Sequence, residues 1–556
     1  MSFNDRIVRG GTNISNLFAD YFGSVYDPSL PLNTAVVDDG ASVGGVGLSS
    51  LLLRESDVLC ALRSIDDSKG AGPDGLPPLL LKRCAEALTV PLLIIFNKSL
   101  TTGVFPAAWK TAYIIPIFKS GDKTSVRNYR PISILSQFGK IFEKLVYNVL
   151  FFNLKNQITI HQHGFFVGRS VETNLLEYTD FVLESKDRGM QVDAVYTDFC
   201  KAFDKVNHSL LIAKLGRVGI SGDLLRWVES YVSNRTQQVK IAGYISDTIS
   251  VTSGVPRGSH LGPLLFLLYI NDIVQCFQYA RCLLYADDMK VFLPVQSSAD
   301  CHNLQNDLKN FSAFCKDNHS AVNYEKCHVI SFSRSKSIIL HSYNIDNNLI
   351  GRVSIIKDLG VMLDGRMAFA EHVDLIARRA FLMLGFVLRT ARGFGDPQSY
   401  IRLYYAYVAS HLSYCSSVWS PQYAIYVDRI EGVQRRFLRH LKYKFGYQDE
   451  HYTALCRRFG LLRLEDRRLC NGITFVQKLF CGQYDSPMLL ERFQLNACAR
   501  HLRLRELFRT PTVRTNFMRN SPLIRLSASC NNANTVDIFS QSVGSVKAAL
   551  HRLCGF

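Results

Sequence analysis

Leu283-Leu284-Tyr285-Ala286-Asp287-Asp288-Met289-Lys290-Val291-Phe292-Leu293 carries an apolar stretch into two adjacent acids and out into another apolar stretch. Carboxylates beside apolar neighbours are costly to bury without a partner. A solvated hairpin turn accounts for such a pair, because Asp favours turns. The chain has two further Asp-Asp pairs, Asp38-Asp39 and Asp66-Asp67, so the dipeptide alone decides nothing. The flanks do more. Apolar runs over 283–286 and 291–293 pin both acids at the tip of a half-buried hairpin, where they are placed to hold hard divalent cations. A third acid is then expected on a neighbouring strand. Val192-Asp193-Ala194-Val195-Tyr196-Thr197-Asp198-Phe199 alternates apolar and polar residues for much of its length, as a strand does. It leads into Cys200-Lys201-Ala202-Phe203-Asp204-Lys205-Val206-Asn207-His208. Taken alone, Asp198 reads equally as a strand-end or capping acid. Asp193 and Asp204 read as solvated turn or capping acids and stay outside the set.

Tyr285-Ala286-Asp287-Asp288 and Thr197-Asp198-Phe199-Cys200-Lys201-Ala202-Phe203-Asp204 resemble the two metal-binding motifs of reverse transcriptases. The resemblance is to those of non-long-terminal-repeat retrotransposons, most of all the jockey-like group. It implies an RNA-directed DNA polymerase with an α+β, right-hand fold: fingers, an RRM-like palm sheet, a thumb and a mostly helical C-terminal part. It also implies two Mg²⁺ ions, with Mn²⁺ as an alternative. Nucleotidyl transfer displaces pyrophosphate in line, and two cations about 3.5–4 Å apart stabilise the attacking and leaving oxygens. Mg²⁺ takes oxygen ligands and keeps some waters, so a few carboxylates plus substrate phosphates suffice. Asp198 and Asp287 are then the bridging ligands and Asp288 a supporting one, with the main-chain carbonyl of Phe199 a further ligand by resemblance.

Other stretches match the same family in order. Lys69-Gly70-Ala71-Gly72-Pro73-Asp74-Gly75 is a tight turn rich in φ > 0 positions. Ile115-Pro116-Ile117-Phe118-Lys119-Ser120-Gly121-Asp122 and Asn128-Tyr129-Arg130-Pro131-Ile132-Ser133 resemble the fingers hairpin. There Lys119 and Arg130 occupy the places of two bases over the incoming triphosphate, where they offset charge on the leaving group; by themselves they read as surface bases. Gln162-His163-Gly164-Phe165-Phe166-Val167-Gly168-Arg169-Ser170 has Phe166 where the family usually has Arg, and Arg169 is the nearest substitute. Ser253-Gly254-Val255-Pro256-Arg257-Gly258-Ser259-His260-Leu261-Gly262-Pro263 has Arg257 where the family usually has Gln. By resemblance, Arg257 and Gly258 lie near the incoming nucleotide; a loop leading into a helix explains the glycines alone. Phe203 stands where the family puts an aromatic under the nucleotide sugar, rejecting the 2′-hydroxyl that separates RNA from DNA precursors. A lone Phe there reads as core. Lys326, in Asn323-Tyr324-Glu325-Lys326-Cys327, stands where a general acid meets the leaving pyrophosphate, or as a solvated base at a strand start. Lys357-Asp358-Leu359-Gly360-Val361-Met362-Leu363-Asp364 resembles the hairpin that grips the primer strand. Tyr414-Cys415-Ser416-Ser417-Val418-Trp419-Ser420-Pro421 and Ile430-Glu431-Gly432-Val433-Gln434-Arg435-Arg436-Phe437 resemble the thumb.

A chain of 556 residues with 47% hydrophobic content has material for three or four domains. Its net charge of +17 is uneven. From Glu371 onward 27 basic residues stand against 13 acidic, a net +14; the first 370 residues hold 37 against 34, a net +3. A basic C-terminal third points to a nucleic-acid backbone or to a helical domain with basic faces. Arg457, Arg458, Arg463, Arg467, Arg468, Arg500, Arg503 and Arg505 are its candidate phosphate contacts, Arg matching phosphate oxygens with its planar fork. Fifteen cysteines without a Cys-x-x-Cys pair read as structural thiols rather than disulfides. Cys456, Cys470, Cys481 and Cys498 are too irregularly spread for zinc. The longest apolar runs fall far short of a membrane span.

The expected organisation is an irregular lead-in over 1–55, fingers and palm over 56–365, a helical thumb-like region over 366–450 and a basic nucleic-acid-binding region over 451–556. Asn- and Ser-rich 527–534 reads as a surface loop. Relatives usually carry an endonuclease ahead of the polymerase, and too few residues precede Ser56 to build one, so a partial copy of a longer element protein is expected. Expected partners are an RNA template, primer or target DNA and dNTPs, with no membrane, in an intracellular ribonucleoprotein of nucleus or cytoplasm. Two other readings stay open: a non-catalytic nucleic-acid-binding relic of the same fold, and an intron-encoded maturase.

Overall fold

The computed structural model describes residues 1–4, 6–27, 47–335, 337–496, 506–539 and 542–555. The chain divides into two compact units, each mixing helix and sheet. One comprises Met1–Phe165, Asp198–Gln278 and Asp307–Tyr324; the other comprises Phe166–Thr197, Tyr279–Asn306 and Glu325–Phe556.

In the first unit, strand Thr111–Phe118 pairs antiparallel with Tyr129–Ile134 and parallel with Arg235–Ile241. Helix Gly11–Gly23 lies on this sheet and buries Leu17, Phe18 and Phe22 with Ile114, Val126 and Val239. The expected irregular lead-in therefore contains a helix whose apolar residues recur at i, i+1 and i+5, close to one helical face. A second layer of helices gathers large rings. Phe96 of helix Ala85–Thr102 stacks on Phe142 of helix Gln137–Leu154 with centroids 4.4 Å apart, and Trp227 meets Phe142 edge-on at 5.0 Å. Such pairs add to area burial because ring edge and face carry opposite charge. Helix Leu261–Ile270 is apolar all round and buried on nearly every side.

The second unit is built on a five-stranded sheet ordered Gly351–Arg352, His328–Phe332, Gln191–Thr197, Asp288–Val295, Arg281–Tyr285. The central three strands pair antiparallel. Helix Val171–Asp187 begins at a capping box, in which Ser170 accepts from the Thr173 amide and Thr173 accepts from the Ser170 amide. It belongs to one apolar core with the sheet, through Leu175, Tyr178, Val182, Val192, Ala194, Phe292 and Ile330. That core runs without a break into helices Ala370–Thr390, Ala424–Phe445 and Leu464–Phe480 and on to Leu550. Residues 527–534, expected as a loop, lie mostly in helix Pro522–Asn532, which buries Leu523, Leu526 and Cys530; a buried stripe outweighs the turn preference of Asn and Ser.

The described cysteines are free thiols, and Cys498 lies outside the described residues. Among the described residues no helix is long and apolar enough to cross a membrane.

Candidate active site

Strands Arg281–Tyr285 and Asp288–Val295 form the hairpin read from the sequence. Tyr285 lies opposite Asp288, so the turn is Ala286-Asp287. Ala286 takes a left-handed φ of 59°, a conformation that costs a non-glycine residue about 1 kcal/mol or more. Its methyl is buried, Asp287 is half-buried and Asp288 is exposed. The central strand ends at Thr197, opposite Met289, the residue after Asp288. Asp198 follows Thr197 directly. In the first unit its carbonyl accepts from the Asn323 amide at 2.8 Å, Phe199 bridges Val322, and the Cys200 amide donates to the Ala321 carbonyl at 2.7 Å. Three consecutive residues are thus laddered, which fixes the backbone just after the strand.

Phe203 lies in a 3₁₀ turn over Ala202–Asp204. Its ring stacks on Phe266 at 4.3 Å and meets Phe165 edge-on at 5.8 Å. Asp204 is not the solvated acid expected. It is buried and accepts a two-pronged bond from Arg257, at 2.9 and 3.1 Å, while the guanidinium lies 5.6 Å from the Phe203 ring centre. Two of the Arg257 donors are therefore committed within the protein. The glycine loop is there for closeness: a Cβ on Gly254 would lie 2.7 Å from the carbonyl oxygens of both Phe203 and Asp204, and one on Gly258 2.7 Å from the Ser133 oxygen. Both glycines also have positive φ. The Ser133 amide donates to the Arg257 carbonyl at 2.9 Å, joining the loop to strand Tyr129–Ile134. On that hairpin Arg130 lies opposite Ile117, the Lys119 amide donates to the Asn128 carbonyl, and both basic residues are exposed. Lys326 is exposed in the 3₁₀ turn Tyr324–Lys326 that leads into strand His328–Phe332.

Three sequence readings change. Arg169 does not stand in for an Arg at position 166. Its guanidinium lies 3.8 Å from the Phe166 ring centre and is paired at 3.0 Å with Asp485, leaving the side chain 4% exposed. Asp193 is fully buried, accepting from Gln191, Ser331 and Tyr343 at 2.5–2.9 Å. Of the C-terminal arginines, Arg458 pairs with Glu450 and Arg463 with Asp466, both at the surface, and Arg468 is buried. Arg457 is exposed. Arg467 lies over the Tyr405 ring at 4.8 Å. Arg500, Arg503 and Arg505 lie outside the described residues.

One cluster escaped the sequence reading. Lys290 and Tyr196, opposite each other on adjacent strands, both donate to Asp358, at 2.5 and 3.0 Å. The available signal was a lysine set within the apolar strand after Asp288, which needs an acid if it is buried.

Asp198, Asp287 and Asp288 carry carboxylate oxygens and Phe199 a main-chain oxygen, the hard donor types that Mg²⁺ takes. Among the described residues no three His, Cys, Asp or Glu side chains form a preformed metal cage. Mg²⁺ needs none where it keeps waters and takes substrate phosphates.

Residues 119–388 match the family model of the reverse transcriptase (RNA-dependent DNA polymerase). That stretch, just under half of the chain, is similar to reverse transcriptases. The chain is 29% identical over 368 residues to the RNA-directed DNA polymerase from mobile element jockey of Drosophila melanogaster, covering 64% of this chain and 38% of the relative. It is 29% identical over 345 residues to the same organism's probable RNA-directed DNA polymerase from transposon BS, covering 59% and 38%. To that from transposon X-element it is 27% identical over 383 residues, covering 67% and 42%. The chain thus spans about two fifths of the length of these curated relatives. The reverse transcriptase match contains the acid-bearing hairpin, the glycine loop and both basic residues of the Thr111–Phe118 and Tyr129–Ile134 hairpin region.

Proposed function

We propose that the chain is an RNA-directed DNA polymerase of a non-long-terminal-repeat retrotransposon, copying element RNA into DNA by target-primed reverse transcription. The observation that carries this reading is the register of the acid-bearing hairpin, Met289 opposite Thr197, within a reverse transcriptase domain. The strand order His328–Phe332, Gln191–Thr197, Asp288–Val295, Arg281–Tyr285 supports an RRM-like palm, since it is the split β-α-β order of such sheets. Fingers then lie on the Thr111–Phe118 hairpin and a thumb on the helices after residue 366.

Asp198, Asp287, Asp288 and the Phe199 carbonyl would hold two Mg²⁺ ions. When bound, the ions stabilise the attacking 3′-oxygen and the leaving pyrophosphate oxygen. Lys119 and Arg130, exposed on their hairpin, neutralise the triphosphate. Phe203, held by its stack on Phe266, excludes the ribose 2′-hydroxyl by contact. Arg257 and Gly258 shape the nucleotide floor, and Lys326 donates a proton to the leaving pyrophosphate. Partners are the RNA template, primer or target DNA and dNTPs, gathered in a ribonucleoprotein.

Primer extension on an RNA template with Mg²⁺ tests this reading, with Asp287→Asn as the control. Extension by the parent and its loss in the variant are expected; an inert parent that still binds RNA overturns it. That outcome is the second reading, a fold kept for binding alone, which the apolar Phe166 and the engaged Arg169 favour.

A further inference from the structure

Hairpin 355–364 joins strand Ile355–Asp358 to Val361–Asp364 through Leu359-Gly360. Its inner face is apolar, with Ile356, Val361 and Leu363 in the core of the second unit. Apolar contacts fix depth but not direction. Direction comes from Asp358, the last residue before the turn, which is 5% exposed. Its carboxylate accepts from Lys290 Nζ at 2.5 Å and from the Tyr196 hydroxyl at 3.0 Å. Lys290 and Tyr196 lie directly opposite each other on neighbouring strands, so both reach Asp358 from one face of the sheet. Lys290 Nζ also sits 4.3 Å from the centre of the Tyr178 ring. In the chain, Lys290 is two residues after Asp288 and Tyr196 two residues before Asp198. At the far side, Tyr414 donates to the Leu359 carbonyl at 2.8 Å, and a Cβ on Gly360 would lie 3.0 Å from its ring.

We propose that Asp358 is a positioning residue: through Lys290 and Tyr196 it locks the 355–364 hairpin to the central strand Gln191–Thr197 and to strand Asp288–Val295 of the acid-bearing hairpin. The hairpin and the strand that carries Asp288 then move as one piece, and a primer terminus held by the hairpin keeps its place relative to Asp287 and Asp288. The inference rests on the polymerase reading and on the hairpin's touching the primer. A buried ion pair is a costly way to obtain stability, because well-packed apolar residues serve as well or better. What it adds is a directional link. A misplacement of about 1 Å between reacting groups costs about 10²-fold in rate.

The test compares Asp358→Asn, Tyr196→Phe and the double variant Lys290→Met with Asp358→Leu, in the full chain. Three readouts are melting temperature, single-nucleotide extension with kcat and dNTP KM separated, and amide hydrogen exchange over 355–364. The double variant is expected to melt near the parent while kcat falls by about 10-fold or more, KM stays within about 2-fold, and hairpin exchange accelerates. Tyr196→Phe should lower kcat a few-fold with melting unchanged. Restoration of both melting and kcat in the double variant, or parental exchange in the hairpin, overturns the proposal and leaves the pair merely structural. An inert parent would instead overturn the polymerase reading, and the exchange measurement would still decide whether Asp358 couples the hairpin to the sheet.

Discussion

The acid-bearing hairpin and the basic C-terminal region hold their information differently. In the hairpin, the proposed function and the fold coincide over eleven residues: two apolar strands, a two-residue turn that holds Asp287, and Asp288 directly after it. In the C-terminal region the charge sum points outward to a nucleic acid, yet much of that charge faces inward. Arg525 donates to the Ser417 and Ser420 carbonyls at 2.6 and 3.0 Å, and its burial pulls its pKa down to about 10. Arg492 bridges Asp180 and Glu184 at 2.7 and 2.5 Å. Asp485 holds Arg169, and Thr515 donates to Asp187 at 2.5 Å. Helix Val171–Asp187, which leads into the central strand, is therefore strapped over its C-terminal half by Arg492 and Thr515, and the turn before it by Asp485. Net charge counts side chains; it does not say where they point.

The comparison breaks most sharply under truncation. A C-terminal region that served only to hold nucleic acid could be removed after Phe445 with the rest of the fold left intact. It is instead part of the fold, because Leu455, Ile473, Phe475, Leu526 and Leu550 share one core with the sheet. Losing one such side chain costs about 2–5 kcal/mol, and a whole domain holds only about 5–15 kcal/mol. The truncated chain should show no cooperative melting of the second unit and no extension. A truncated protein with a sharp thermal transition would make the C-terminal region an appendage after all.

Next in size is Asp287→Asn. A two-residue turn accepts Asn as readily as Asp, so the hairpin should survive while extension falls by about 10²–10³-fold, the loss typical of one preorganised electrostatic group. Circular dichroism and single-turnover extension, measured on the same preparation, separate the two. Parental extension would remove Asp287 from the metal set.

How much was legible follows the same division. Strand alternation at 192–199, the 283–293 hairpin, the glycine loop and the 357–364 hairpin were readable because short-range patterning specifies them. Helix Gly11–Gly23 was hidden by glycines at its borders and by its short buried face. The Asp204–Arg257 and Lys290–Asp358 pairs were hidden because partners 53 and 68 residues apart leave no local trace. Both sit at positions where an isolated charge looks wrong for its surroundings, which is the signal such pairs give.

A smaller effect concerns Phe203. Phe203→Val should raise ribonucleotide use relative to deoxynucleotide use by about 10-fold, the order expected when a pocket loses about one or two methylene contacts. The stack on Phe266 goes with it, so melting should drop slightly as well. Competitive dNTP and rNTP incorporation by variant and parent supplies the ratio. An unchanged ratio with lowered melting would return Phe203 to the core and shift nucleotide selection to the loop around Arg257.

The smallest effect probes the joint between the two regions. Glu172, in the first turn of helix Val171–Asp187, is half-buried, and burial pushes its pKa up to about 7 against a bond from the Ser417 amide and the charge of Lys478. In the unfolded chain the same carboxyl ionises near its ordinary value of 4.5. Between those values the folded state holds more protons than the unfolded one, so stability falls as pH rises from about 4.5 to about 7 and is flat beyond. Glu172→Gln stays neutral throughout. The variant should therefore match the parent below pH 4.5 and exceed it by about 2 kcal/mol above pH 7, a figure discounted for residual solvent contact. His372 works in the opposite sense, since burial pulls it down to about 4 and its contribution is lost as pH falls through the range from 6.5 to 4. It is common to both proteins and cancels in the difference. Urea unfolding at a series of pH values gives that difference directly. A gap independent of pH would mean that Glu172 ionises freely in the folded chain, and that the joint between the helix and the C-terminal region is open to water.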